Sequence, residues 1–267
     1  MEYILLLVGG LLAGTIGSLV GLGGGIVIVP LLIGLGAISF IDVTPQITVG
    51  TSMITVFITG LSSTLAYMKQ KQVDYKSSLY LFIGSGPGSI LGSWFNRYFN
   101  DDSFSLYFGF FIILVAILLM VKNKIKPIGQ QNKSTVTRTI ITPEGKQITY
   151  GINLALAIPI ACLVGFLSGL FGIGGGSLLV PAMIILFSFP PHIAIASSMM
   201  IVFLSAILSS ITHISLGNVN WLFVLFLLPG AWFGGKLGAY LNTRLSSNVL
   251  VMILRVVLII VGIRMIF

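Results

Sequence analysis

Two runs of residues stand out for the chemistry their backbone can do. Residues 14–30 read GTIGSLVGLGGGIVIVP and residues 165–181 read GFLSGLFGIGGGSLLVP. Gly23, Gly24 and Gly25 in the first run, and Gly174, Gly175 and Gly176 in the second, lie within apolar segments. Each glycine there costs a helix about 1 kcal/mol relative to alanine. Pro30 and Pro181 follow five residues after the last glycine and each removes a backbone donor. Proline is tolerated in the first turn of a helix, so the pattern predicts a break at residues 23–25 and a new helix from near Ile26. The same holds at residues 174–176 and Ser177. A helix start offers free N–H groups and the positive end of the helix dipole, which suit an anion. The competing reading is that the glycines only let helices pack closely. A nucleotide loop does not fit, because neither run is followed by Lys-Ser/Thr or set between a strand and a helix.

Polar side chains are few, and their positions matter. Thr51 and Ser52 match Ser197 and Ser198, each pair near the start of an apolar run. Their hydroxyls can line a polar cavity beside the breaks, or cap helix ends and bond back to the backbone; both readings stand. His192 matches Gln46 and His213 matches Tyr67, and each histidine reads as an interfacial polar residue before a proton relay. Lys236 and Arg255 are the cations well inside apolar runs. Ionisable residues in a membrane are functional candidates, yet both lie within snorkelling reach of the loop at 242–248. Cys162 is the single cysteine and sits in an apolar run, so neither a disulfide framework nor a thiolate metal site is available. No metal, catalytic residue or cofactor is expected.

These residues must be positioned by membrane helices. The chain has 267 residues, 56% hydrophobic and 7% charged, with a mean hydropathy of +1.09. Soluble domains carry about 25% charged residues, so a water-facing surface cannot be built. Apolar runs fall at about 3–20, 26–41, 46–67, 77–95 and 104–121, then at about 152–171, 177–189, 193–215, 221–241 and 248–267. About 20 apolar residues span a bilayer as a helix. The first run follows Met1-Glu2-Tyr3 without a basic leader and reads as a retained span, not a cleaved signal. The net charge of +8 comes largely from Lys and Arg between runs, which marks cytoplasmic loops and not a nucleic-acid surface. The gap at 122–150 holds Lys122, Lys124, Lys126, Lys133, Arg138 and Lys146 against Glu144, and reads as cytoplasmic. Within it, residues 135–142 and 147–150 flank Pro143-Glu144-Gly145-Lys146, which predicts a small hairpin.

The chain is internally duplicated. Gly14, Gly21, Gly23, Gly24, Gly25 and Pro30 recur at an offset of 151 as Gly165, Gly172, Gly174, Gly175, Gly176 and Pro181. From Ser52-Met53 onward the offset is 146, and Gly84, Gly88, Gly92 and Asn96 recur as Gly230, Gly234, Gly238 and Asn242. The glycine series has small-xxx-small spacing and reads as helix packing. The expected organisation is a first transmembrane repeat at 1–121, a cytoplasmic linker at 122–150 and a second repeat at 151–267. Lys69, Lys71 and Lys76 outnumber Arg97 in the first half, whereas Arg244 faces a loop at 214–220 with no Lys or Arg in the second. The bias reverses, as inverted repeats of five segments with both termini outside require. Two parallel repeats of four crossings are the alternative.

The paired G-h-G-G-G-x4-P motifs, with Thr51-Ser52, Ser197-Ser198 and the glycine-spaced helices, resemble the sulfite exporter TauE/SafE family of membrane permeases over nearly the whole chain. The resemblance implies passage of sulfur-containing anions such as sulfite or sulfonates. The expectation is therefore an all-α polytopic protein of the plasma membrane and a secondary transporter for such an anion. The expected substrate-binding residues are Gly23, Gly24, Gly25, Thr51, Ser52, Gly174, Gly175, Gly176, Ser197 and Ser198. Expected partners are a small anionic solute and the lipid bilayer, with a homodimer as an option and no nucleic acid. A non-transporting scaffold is the alternative. A membrane-embedded enzyme ranks behind it, because two distant histidines make no acid–base or metal constellation.

Overall fold

The computed structural model describes residues 2–38, 44–120, 135–141 and 147–266. The basic residues at 122–133, the turn at 143–146 and Asp42 lie outside the described residues. Ten helices carry the fold among those described. α1 (Glu2–Val20), α2 (Gly25–Ile38), α3 (Pro45–Lys69), α4 (Tyr75–Phe95) and α5 (Asp101–Met120) form the first half. α6 (Leu154–Phe171), α7 (Gly176–Leu186), α8 (Pro191–Ser215), α9 (Trp221–Asn242) and α10 (Ser247–Ile266) form the second. Five of them, α1, α3, α6, α8 and α9, are long and apolar enough to cross a membrane. The chain is a polytopic helical membrane protein.

Polar side chains start the helices where apolar runs begin. Asp74 caps α4 by accepting from the Ser77 N–H at 3.3 Å, and Asn220 caps α9 by accepting from Leu222 and Phe223 at 3.1 and 3.2 Å. Asn153 caps α6 through Ala155 N–H at 3.1 Å. Each satisfies a donor that the first helical turn leaves open.

The linker contributes β1 (Thr135–Ile141) and β2 (Gln147–Asn153), an antiparallel pair in which Thr135 is opposite Asn153. Tyr150 of β2 is buried, packs with its ring centroid 4.3 Å from that of Phe189 at a tilt of 52°, and donates its hydroxyl to Asp74 Oδ2 at 3.2 Å. The hairpin is thus docked on the helix ends beside it. β2 also runs to Asn153, so it reaches into the expected second repeat.

The halves interleave. α1 packs on α9, and α4 on α6, through the two glycine series. A side chain at Gly84, Gly88 or Gly92 would strike the backbone of Ile158, Cys162 or Phe166, and one at Gly230, Gly234 or Gly238 that of Leu7, Leu11 or Thr15. Residue numbers rise together in both pairs, so each pair runs parallel. α3 and α8 cross instead in opposite senses: Gly50 lies against His213, and Gly60 against Phe203. α2 folds back along α1, with Gly24 beside Ala13 and Gly9 beside Leu31.

One expectation is corrected. Pro30 is the sixth residue of α2 and Pro181 the sixth of α7, beyond the first turn. Each proline therefore removes an i to i−4 bond inside its helix, and it is the glycines, not the prolines, that permit the turn at the breaks. Gly21, Gly23 and Gly24 have φ of 79°, 81° and 94°, and Gly172, Gly174 and Gly175 have 73°, 85° and 72°. Side chains other than glycine rarely adopt this region.

Candidate substrate site at the glycine breaks

The two breaks meet back to back at the centre. A Cβ on Gly23 would lie 2.8 Å from Val202, 3.1 Å from Val56 and 3.7 Å from Gly174 Cα. One on Gly174 would lie 2.6 Å from Val56 and 3.2 Å from Val202. Val56 and Val202 are at the middles of α3 and α8, so the breaks stand at mid-depth of the two long crossing helices. Gly25 abuts the Gly172 carbonyl and Gly176 the Gly21 carbonyl. The site residues at 23–25 and 174–176 are brought together, fully buried.

The hydroxyls tie each break to the opposite half. Ser52 donates to the Gly172 carbonyl at 2.8 Å, and Ser198 to the Gly21 carbonyl at 3.0 Å. Thr51 accepts from the backbone N–H of Asn220 at 3.0 Å, and Ser197 from that of Asp74 at 2.9 Å. All four are buried. Thr51 and Ser197 thereby reach the residues that cap α9 and α4. Ser52 and Ser198 thus hold backbone at the breaks, while Thr51 and Ser197 hold the helix starts of α9 and α4.

The remaining singled-out residues lie away from the breaks or serve packing. His192 Nδ1 is 3.0 Å from Asn242 Oδ1, and Asn242 donates to the Leu19 carbonyl at 2.8 Å. The matched Asn96 donates to the Leu170 carbonyl at 2.8 Å. His213 Nε2 is 3.5 Å from the Gly169 carbonyl, where the matched Tyr67 donates to the Ser18 carbonyl at 2.8 Å. Lys236 lies over Trp232, and Arg255 is half-buried on α10.

One residue escaped the sequence reading. Ser168 is 2% exposed, its Oγ has no hydrogen-bond partner, and that oxygen is 3.4 Å from where a Cβ on Gly175 would stand. Gly175 is the N-cap of α7 and makes no side-chain capping bond. A buried hydroxyl without a partner carries a desolvation cost, and it stands beside helix N–H groups that have no partner within their own helix. The signal was present in the repeat: Gly17-Ser18 in the first half is Ser168-Gly169 in the second. Gly17 instead abuts the backbone of Gly24, so the first break has no hydroxyl at this place.

The geometry comprises paired broken helices buried at the centre of a membrane protein, and comparison with known proteins agrees with it. The family model for sulfite exporter TauE/SafE matches residues 6–265. The chain belongs to the sulfite exporter TauE/SafE family. It is therefore a multi-pass transporter of the plasma membrane. This TauE/SafE member is 54% identical to the probable membrane transporter protein YunE of Bacillus subtilis, over 100% of this chain and 98% of the relative. It is 30% identical to the probable membrane transporter protein YjnA of the same organism, over 96% and 97%. A probable membrane transporter protein of Xylella fastidiosa is 28% identical over 90% of this chain and 84% of its own length. No solved structure matches this TauE/SafE chain.

Proposed function

We propose that this protein is a secondary permease for a small sulfur-containing anion, such as sulfite or a sulfonate, which binds at the paired glycine breaks. The observation carrying the reading is that α2 and α7 are each preceded by glycines of positive φ, Gly23-Gly24 and Gly174-Gly175, in the buried centre. Backbone that leaves the helical path at membrane depth is tolerated where protein or a watery path satisfies it. Broken helices at matched places in two repeats are the usual pointer to a transporter's binding site. The N–H groups of Gly24, Gly25, Gly174 and Gly175 provide donors, those of Gly23 and Gly176 being taken by the Gly17 and Gly174 carbonyls, and the Ser168 hydroxyl adds one at the second break. Ser198 and Ser52 bond the Gly21 and Gly172 carbonyls next to those donors, and Thr51 and Ser197 bond the backbone at the starts of α9 and α4. Among the described residues, no Asp or Glu stands deeper than the first turn of a helix. A cation site would need such a carboxylate; an oxyanion needs donors. The same lack of an acid–base pair favours a transporter over a membrane-embedded enzyme.

We further infer that the repeats, at 1–121 and 151–267 around a cytoplasmic linker at 122–150, are inverted. The support is that α3 and α8 occupy matched places in the two halves yet run in opposite senses. An axis along the membrane normal would leave them parallel. With both termini outside, the hairpin then falls on the same side as Lys69, Lys71 and Lys76, in keeping with the positive-inside rule.

The experiment is flux in liposomes containing the purified protein. Labelled sulfite or a small sulfonate is expected to enter and to compete with one another, whereas sodium, potassium and amines do neither. Cation flux indifferent to millimolar sulfite and sulfonate overturns the assignment.

A further inference from the structure

α9 bears a ladder of residues on one face. Trp232, Lys236 and Tyr240 follow at four-residue spacing, which stacks them along the helix, and Arg244 continues the series two residues past its end. Lys236 Nζ lies 4.9 Å from the Trp232 ring centroid, and the Arg244 guanidinium carbon lies 4.9 Å from that of Tyr240. Across from this face stand Ser62, Leu65 and Lys69 of α3 and Gln70 just past its end, and between them lies a groove of about 620 Å³. No carboxylate lines it. The buried Gln70 Oε1 has no hydrogen-bond partner.

The position of Lys236 makes the groove chemically incomplete. It precedes Asn242, the last residue of α9, by six residues, about 9 Å along the axis. Its ammonium does not reach back toward that end but sits over Trp232, a turn further in. A cation so placed in an apolar layer calls for an anion. The duplication does not require it, because the matched residues are Ile90 for Lys236 and Ser215 for Lys69. The groove is flanked by exposed apolar side chains: Leu65 is 43%, Phe233 63% and Leu237 43% exposed. The nearby ends carry Lys69, Lys71, Lys76 and Arg244, which marks the cytoplasmic face, where anionic lipid attracts basic residues.

We propose that the groove between α3 and α9 binds an anionic phospholipid, its phosphate between Lys236 and Lys69 and its acyl chains over Leu65, Phe233 and Leu237. Trp232 and Tyr240 suit the headgroup boundary, since aromatic rings with a polar edge settle there. The assignment is independent of the transported solute.

The test is native mass spectrometry of the full chain, delipidated and then titrated with phosphatidylglycerol or phosphatidylcholine. Wild type is expected to bind phosphatidylglycerol in preference. Lys236→Gln and Lys69→Gln are each expected to weaken that binding about fivefold, the loss of one lysine near a lipid phosphate, and to leave phosphatidylcholine binding unchanged. Arg97→Gln, outside the groove, is expected to change neither. Lys69 ends α3, so its variant serves if Lys236→Gln does not fold. Equal binding of the two lipids, or unchanged phosphatidylglycerol affinity in both lysine variants, overturns the proposal. Displacement of the lipid by glycerol 3-phosphate or sulfite also overturns it, because the groove would then serve a soluble anion.

Discussion

Ser52 and Gly172 are 120 residues apart in the chain, and the serine hydroxyl donates to the glycine carbonyl at 2.8 Å. Ser198 repeats the bond to Gly21 at 3.0 Å. Each half therefore holds the other half's break open through one hydroxyl. The bond satisfies a carbonyl at a buried turn, where leaving it unmade would cost about 1–3 kcal/mol.

Ser52→Ala and Ser198→Ala are accordingly expected to lower the thermal unfolding temperature in detergent and to slow anion uptake. The double variant should lose more than either. Unchanged stability and unchanged uptake in both single variants would show that the cross-half bonds contribute nothing.

Ser168→Ala should behave in the opposite way on stability. Removing a buried hydroxyl without a partner is neutral or slightly stabilising, yet a donor beside Gly175 is lost. Uptake should show a raised KM for sulfite or sulfonate at an unshifted unfolding temperature. A variant with wild-type KM places Ser168 outside the solute's path.

The glycines separate by what a side chain would meet. At Gly175 a Cβ has ordinary contact at 3.4 Å with Ser168, so Gly175→Ala pays only for its φ of 72°, about 1–2 kcal/mol. At Gly88 the added carbon runs into the Cys162 carbonyl, which forces α4 from α6. Membrane-inserted, folded protein should persist in Gly175→Ala with reduced uptake, while Gly88→Leu should lose folded protein. Equal loss of folded protein in both shows that the breaks are structural alone.

Inversion is tested by reporters. A reporter fused after Phe267 is expected outside the cytoplasm and one inserted near Gln131 inside it. Both on the cytoplasmic side favours two parallel repeats of four crossings.

Much of the fold was legible because its determinants are local. Apolar runs begin where Asp74, Asn153 and Asn220 can cap a helix, and each run became one. The glycine spacing at 84, 88, 92 and at 230, 234, 238 named the packing faces, since small residues at every fourth position leave one face bare. The hairpin followed from Pro143 to Lys146 between two extended segments, although the turn itself lies outside the described residues. Periodicity and capping depend on neighbours within a few residues, so one chain suffices to read them.

What tertiary structure alone decided is pairing across more than a hundred residues. Spacing told that Gly88 packs closely but not that Cys162 is its partner, because any bare helix backbone offers the same surface. Thr51, Ser52, Ser197 and Ser198 were legible as polar residues matched in two halves, whereas their acceptors and donors in the opposite half were not. A hydroxyl bonds equally well to a solute, to its own helix or to a distant carbonyl. Only the crossing of α3 over α8, which sets both glycine breaks at mid-depth between Val56 and Val202, selects the distant carbonyl. It also leaves Ser168 facing Gly175 with its hydroxyl unused.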